Sequence, residues 1–92
     1  PEIDGIFTIS DAVAAEVILN LEKDGRRVPE DVRVIGYDGG RSFLNLGKRI
    51  TSIGQSPERI AVRIGELIQN YYDKKPLENR VVPIEFCRGD TA

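Results

Sequence analysis

Histidine, methionine and tryptophan are missing from this 92-residue sequence, and cysteine occurs once. Without histidine the chain lacks the side chain that most often serves as general base or metal ligand near neutral pH. A serine–histidine centre or an imidazole-bound zinc site is therefore excluded, unless another chain supplies the residues. The lone cysteine, Cys87, cannot close an internal disulfide, which suits a reducing cytoplasm. No apolar run approaches the ~20 residues that span a bilayer, so no membrane partner is expected. The opening Pro1-Glu2-Ile3-Asp4-Gly5 has neither the basic segment nor the hydrophobic stretch of a signal peptide. It reads instead as the approach to a strand within a longer protein. An excess of basic charge is missing too: 13 basic residues face 15 acidic ones, a net charge of −2. Nucleic-acid binders usually carry a clustered positive surface that displaces counterions. This segment has none, and is not expected to read DNA by itself.

What is present is globular in character. Hydrophobic residues make up 40% of the chain and charged residues 30%, as in folded soluble domains. The length allows one domain or part of one, with a limited core. Ile3, Ile6, Phe7, Thr8 and Ile9 form a β-favouring apolar run, predicting a strand buried on both faces. Ser10-Asp11 then opens a helix, since either side chain can accept from the free N–H groups of the first turn. The helix should run to about Asp24 and stop at Gly25. Val13, Ala14, Val17, Ile18 and Leu21 gather on its broad face; Ala12, Ala15 and Leu19 form a second stripe. Val28-Pro29-Glu30-Asp31 is a turn, and Val32, Val34, Ile35 and Tyr37 make a second strand. Together these form a βαβ unit, whose crossover is almost always right-handed.

The second strand ends in Gly36-Tyr37-Asp38-Gly39-Gly40. Ligands on parallel sheets collect at the carboxyl ends of strands, so Asp38 stands where binding groups belong. A loop from Gly39 to Arg49 follows, then a third short strand over 50–54. Ser56 as cap, Pro57 at the first helical position and Glu58 beside the positive helix end predict a second helix. Its apolar face is Ile60, Ala61, Ile64, Leu67, Ile68 and Tyr71, and Lys74-Lys75-Pro76 ends it. Val81, Val82, Ile84 and Phe86 suggest a last strand, whose internal Pro83 argues for a sheet edge or a bulge. Arg88-Gly89-Asp90-Thr91-Ala92 reads as a polar tail; its adhesion-like tripeptide is taken as chance. The fold class expected is α/β, a parallel sheet with flanking helices.

The order of these segments resembles a known family. Phe7-Thr8-Ile9-Ser10-Asp11, a helix, Gly25, Val28-Pro29-Glu30-Asp31-Val32 and Val34-Ile35-Gly36-Tyr37-Asp38 are similar to the C-terminal third of lactose/galactose-type repressors. Ile50-Thr51-Ser52-Ile53 with Gln55, and Pro83-Ile84-Glu85-Phe86 with Arg88 and Thr91, resemble that family's later segments. Lys48 and Arg49 stand where the family pattern has a proline.

The resemblance implies part of a periplasmic-binding-protein-like core, in which two α/β lobes close on a small molecule. Residues 1–54 resemble part of the C-terminal lobe, 57–86 elements of the other lobe, and 87–92 a tail. It further implies ligand contacts at Asp38, Gln55 and Ser10, for an effector that is a sugar or sugar phosphate. A homodimer surface is implied at Ala12, Ala15, Leu19 and Phe43, and operator DNA would be read by a helix-turn-helix domain absent here. No cofactor and no metal are implied, and the full protein would be a cytoplasmic repressor. Each position also has a plain structural role open to it. Asp38 before two glycines is good turn chemistry, Ser10 can simply cap, Gln55 can be solvated, and the alanine stripe and Phe43 can pack internally. Asp11 is expected to be structural. A periplasmic sugar-binding protein is the alternative function. Enzymatic chemistry is not expected, because no histidine, phosphate-cradling glycine pattern or second acid accompanies Asp38.

Overall fold

The computed structural model describes residues 2–38, 42, 43 and 46–92, with residues 42 and 43 described by their backbone alone. In chain order the elements are β1 (Gly5–Phe7), α1 (Asp11–Lys23), β2 (Arg33–Tyr37), β3 (Ser42–Phe43), β4 (Lys48–Arg49), β5 (Thr51–Gly54), α2 (Pro57–Tyr72) and β6 (Glu85–Cys87). The main sheet runs β1-β2-β5-β6, while β3 and β4 form a small antiparallel hairpin. β1 pairs in parallel with β2, placing Ile6 opposite Val34. β2 pairs in parallel with β5, placing Gly36 opposite Ser52. β6 closes the sheet antiparallel to β5, with Phe86 opposite Ile53. The α/β expectation holds, with one antiparallel edge added.

Helix α1 begins and ends as its caps dictate. Ser10 is extended and its hydroxyl accepts from the Val13 N–H at 3.2 Å, leaving Asp11 as the first helical residue. Gly25, at φ +82°, turns the chain out of the helix, and Arg26 N–H donates to Leu21 O at 2.8 Å. A left-handed residue is cheapest as glycine there. The following turn is tied by Arg27, which donates to both carboxylate oxygens of Asp31. That hydrogen bond holds the Asp31 carboxyl below its ordinary value and raises Arg27.

The core lies between α1 and the sheet: Ala14, Ala15 and Ile18 against Val28, Val32, Val34 and Ile50. The contact line of α1 is thus Asp11–Ala14–Ala15–Ile18, with Val17 and Leu21 packed against the core beside it and Val13 left outside. Small side chains decide this, because Ala14 and Ala15 let the helix backbone approach the strands closely. Val13 consequently stays 43% exposed, and Ala15 falls to 6%. The expectation that Ala15 faces a partner is corrected here: it belongs to the core of its own chain.

Three further expectations are revised. The first strand is not buried on both faces, since Phe7 is 62% and Ile9 81% exposed. α1 covers one side of the sheet, and no described element covers the side carrying Phe7 and Phe86. The last strand does not span 81–86; it starts only at Glu85. Pro83 has no N–H to give a ladder, so pairing begins beyond it, at the edge its presence foretold.

The polar tail is the third, and it is an inserted segment. Thr91 is fully buried. Its hydroxyl donates to Val34 O at 2.7 Å and accepts from Thr51 N–H at 2.9 Å. The Thr51 hydroxyl in turn accepts from Gly89 N–H at 2.9 Å. The Asp90 carboxylate accepts from Arg49 N–H at 2.9 Å, and Asp90 N–H donates to Arg49 O at 2.7 Å. Buried backbone groups need such partners, and residues 89–92 supply them to β2 and to the start of β5.

α2 departs most from expectation. Its start is as read, with Ser56 capping Arg59 N–H and Pro57 in the first turn. The apolar face of Ile60, Ala61, Ile64, Leu67, Ile68 and Tyr71 forms, yet no residue of the helix is buried. A compact chain of this length has a radius of gyration near ~12 Å. The observed value is 17.5 Å, with extents of 59 × 25 × 16 Å. Among the described residues none buries the apolar face of α2, which stands out as an arm.

Candidate functional site

Parallel pairing puts the carboxyl ends of β1, β2 and β5 at one edge of the sheet. The residues just beyond those ends are Ser10-Asp11, Asp38 and Gln55, and ligands on such sheets gather at this edge. All of them line one cleft of about 600 Å³, with Ala12 and Tyr37 beside them and Pro57, Ile60, Ala61 and Ile64 of α2 opposite. Three candidates separated by up to 45 positions in the sequence are therefore brought together.

Asp38 sits at the end of β2 with φ +114°, a region L side chains rarely adopt. Its N–H is fixed by Ile53 O at 3.0 Å, and the residue is exposed toward the cleft. Holding a non-glycine residue there costs roughly 1–3 kcal/mol and is common at functional positions. Plain turn chemistry would be better served by glycine.

Asp11 is 3% exposed and lies against Gly36. A Cβ at position 36 would strike the Asp11 carboxylate and stand 3.2 Å from its Cα. The glycine in Val-Ile-Gly-Tyr-Asp is thus a receiving slot for the first turn of α1. Gly36→Ala is expected to push α1 off the sheet and cost roughly 1–3 kcal/mol, the usual range for overpacking. Chemical denaturation of the intact protein checks this; an unchanged midpoint would contradict the slot.

Ser10 is half-buried, and its hydroxyl accepts from Val13 N–H while facing the cleft. Capping and cleft lining coexist at this residue. Gln55 is exposed, and its side-chain N–H donates to Val82 O, bridging the two segments that leave the sheet. Arg59 adds a second tie between those segments, an ion pair with Glu85 at 2.6 Å. Of the surface residues, Ala12 is exposed and Leu19 half-buried. Phe43 is placed by its backbone opposite Lys48; its side chain lies outside the description. The open groove along α1 is lined by Ala12, Val13, Glu16, Val17, Asn20 and neighbours, about 520 Å³ in volume. Of these, Val17 also packs against the core as its helical position predicts, whereas Val13 does not.

Ile60, Ala61 and Ile64 were missed as cleft residues. Their helical spacing reads as core, and nothing in one sequence tells which partner a face will meet. Among the described residues no cluster of three acidic or thiol groups could hold a metal ion. No helix among them is long and apolar enough to cross a membrane.

A family of periplasmic binding protein-like domains matches residues 1–92. The ribose operon repressor of Halalkalibacterium halodurans is 33% identical over 78 residues, 85% of this chain and 24% of its own length. The transcriptional regulator CelR of Thermobifida fusca is 34% identical over 68 residues, 74% of this chain and 20% of its own. The repressor PurR of Aliivibrio fischeri is 30% identical over 80 residues, 87% of this chain and 24% of its own. The chain thus spans about a quarter of these relatives. Solved structures agree. A periplasmic binding protein/LacI transcriptional regulator from Alkaliphilus metalliredigens, complexed with D-xylulofuranose, superposes with a TM-score of 0.76 at 29% identity. The overlap covers 96% of this chain and 34% of that one. A CelR–cellobiose complex gives 0.73 at 26% identity, covering 100% and 29% respectively. The chain belongs to the periplasmic binding protein-like domain family, in its lactose/galactose-repressor-type branch.

Proposed function

We propose that this segment forms one wall of the effector cleft in a sugar-responsive transcription repressor. The observation that carries the reading is the convergence of Ser10, Asp38 and Gln55 on one cleft at the strand ends. A carboxylate can bridge two neighbouring sugar hydroxyls with charge-assisted hydrogen bonds, stronger than neutral ones. The effector is a sugar or sugar phosphate; two of the similar solved structures hold sugars, D-xylulofuranose and cellobiose. Residues up to 54 belong to one lobe, and α2 to the other, which explains an apolar helix face that no described residue buries. Binding closes the lobes and shifts the DNA-competent population, a coupling of typically 1–3 kcal/mol. The protein is a cytoplasmic homodimer that reads operator DNA through a domain outside these residues. Ala12 and Leu19 with Phe43 contribute to the dimer surface, Ala15 being spent on the core.

The full protein is a binding protein and not an enzyme, in keeping with relatives that are transcriptional regulators. A transport binding protein is not favoured, because those relatives are transcriptional regulators. Asp38→Ala in the intact protein should remove the thermal stabilisation given by its sugar, with D-xylulose and cellobiose as first probes. The unliganded melting temperature should change little. A ligand-induced shift equal to that of the unsubstituted protein would overturn the assignment.

A further inference from the structure

The charges that this segment brings to the cleft favour one of the two effector classes. A phosphate ester is normally seated on a helix N-terminus, where free N–H groups and the macrodipole favour an anion. Two helices open on this cleft, and both positive ends already carry carboxylates. α1 has Asp11 in its first turn, 3% exposed, and its Val13 N–H is taken up by the Ser10 oxygen. α2 has Pro57, which lacks an N–H, and Glu58. Its cap Ser56 accepts from Arg59 N–H and donates to the Glu58 carboxylate at 2.9 Å. Each end thus already has a carboxylate in its first turn, which disfavours a second anion there.

The lining itself repeats the message. Among the described residues it holds two acids, Asp11 and Asp38, and no lysine or arginine. Arg59, two residues after Pro57, is committed to Glu85 at 2.6 Å. Opposite the polar group stand Pro57, Ile60, Ala61 and Ile64. A hydroxyl-rich ring with one apolar face matches that pair of walls, whereas a phosphate would bring a like charge to Asp38. Repulsion of this kind rejects a wrong ligand as effectively as attraction selects the right one.

Resting on the effector-cleft reading above, we infer that the cleft takes an uncharged sugar and rejects the phosphate ester of the same sugar. The test uses the intact protein and matched pairs by scanning fluorimetry and calorimetry: D-ribose with ribose 5-phosphate, D-xylulose with xylulose 5-phosphate, and cellobiose with its 6-phosphate. The expected result is a neutral member that binds at least tenfold tighter than its ester, with Asp38→Ala and Asp38→Asn both losing that binding. An ester that binds more tightly, with binding lost in both variants, overturns the charge inference and leaves the effector cleft standing. Binding indifferent to both Asp38 variants overturns the cleft reading, and this inference with it.

Discussion

Gly89→Ala is expected to be among the most destabilising single substitutions in this segment, at roughly 3 kcal/mol or more, the upper end of overpacking costs. A Cβ there would collide with the Arg49 carbonyl oxygen and stand 2.8 Å from the Ile50 carbonyl carbon and 2.9 Å from that of Arg49. Every one of those atoms is backbone, so no side chain can swing away to make room. The chain at this point is also pinned from both sides. Gly89 N–H donates to the Thr51 hydroxyl, Asp90 is held by Arg49, and Thr91 is locked between Val34 and Thr51. Relief by backbone movement would break bonds that satisfy buried groups, each worth about 1–3 kcal/mol when left unmade. In a domain of 150–250 residues, 3 kcal/mol corresponds to a loss of about 6–12 °C. Thermal melts of the intact protein measure it. Thr91→Val should be damaging for the same reason and Thr91→Ser mild, because serine keeps the hydroxyl that both neighbours use. A Gly89→Ala protein that melts with the unsubstituted one would show that residues 89–92 are not inserted as described.

The second large effect concerns function rather than stability. Asp38→Gly is expected to abolish the effector response while leaving the fold as stable as before or more so. At φ +114° the aspartate is held in a conformation that costs it roughly 1–3 kcal/mol. Glycine adopts that conformation freely, at the expense of roughly 0.5–1 kcal/mol of added chain entropy in the unfolded state. The net change is therefore between neutral and a modest gain, read as a melting temperature equal to or slightly above the starting one. Binding should move in the opposite direction. Loss of a charged group that takes two hydroxyls removes about 1.5–3 kcal/mol for each such hydrogen bond, tenfold or more in affinity. Stability kept and binding lost is the signature of a residue retained for its ligand. A variant that loses stability and keeps its sugar would assign Asp38 to the turn alone.

The βαβ unit was legible because its signals are local. Ser10 and Gly25 set the limits of α1, Ser56 and Pro57 the start of α2, and the two β-branched runs the first parallel pair. The order Gly36-Tyr37-Asp38 also placed the strand end where ligand groups collect, and Gln55 and Ser10 do line the same cleft. What escaped depended on partners distant in sequence. Nothing around Arg88-Gly89-Asp90-Thr91-Ala92 shows that Thr51 and Val34, 40 and 57 positions away, will take its hydrogen bonds. The helical wheel could list apolar positions on α1 but not choose between Val13 and Ala15 as the closest contact. That choice belongs to the strands beneath, where Gly36 admits Asp11. The face of α2 formed as its spacing predicts, but one sequence could not tell that Ile60, Ala61 and Ile64 would line the cleft rather than be buried.

The most direct measurement of the central claim is a structure of the intact protein with its sugar bound. The account predicts sugar hydroxyls within hydrogen-bond distance of the Asp38 carboxylate, the ring lying between Asp38 and the Ile60–Ile64 turn of α2. A sugar bound elsewhere, with Asp38 facing only water, would contradict it.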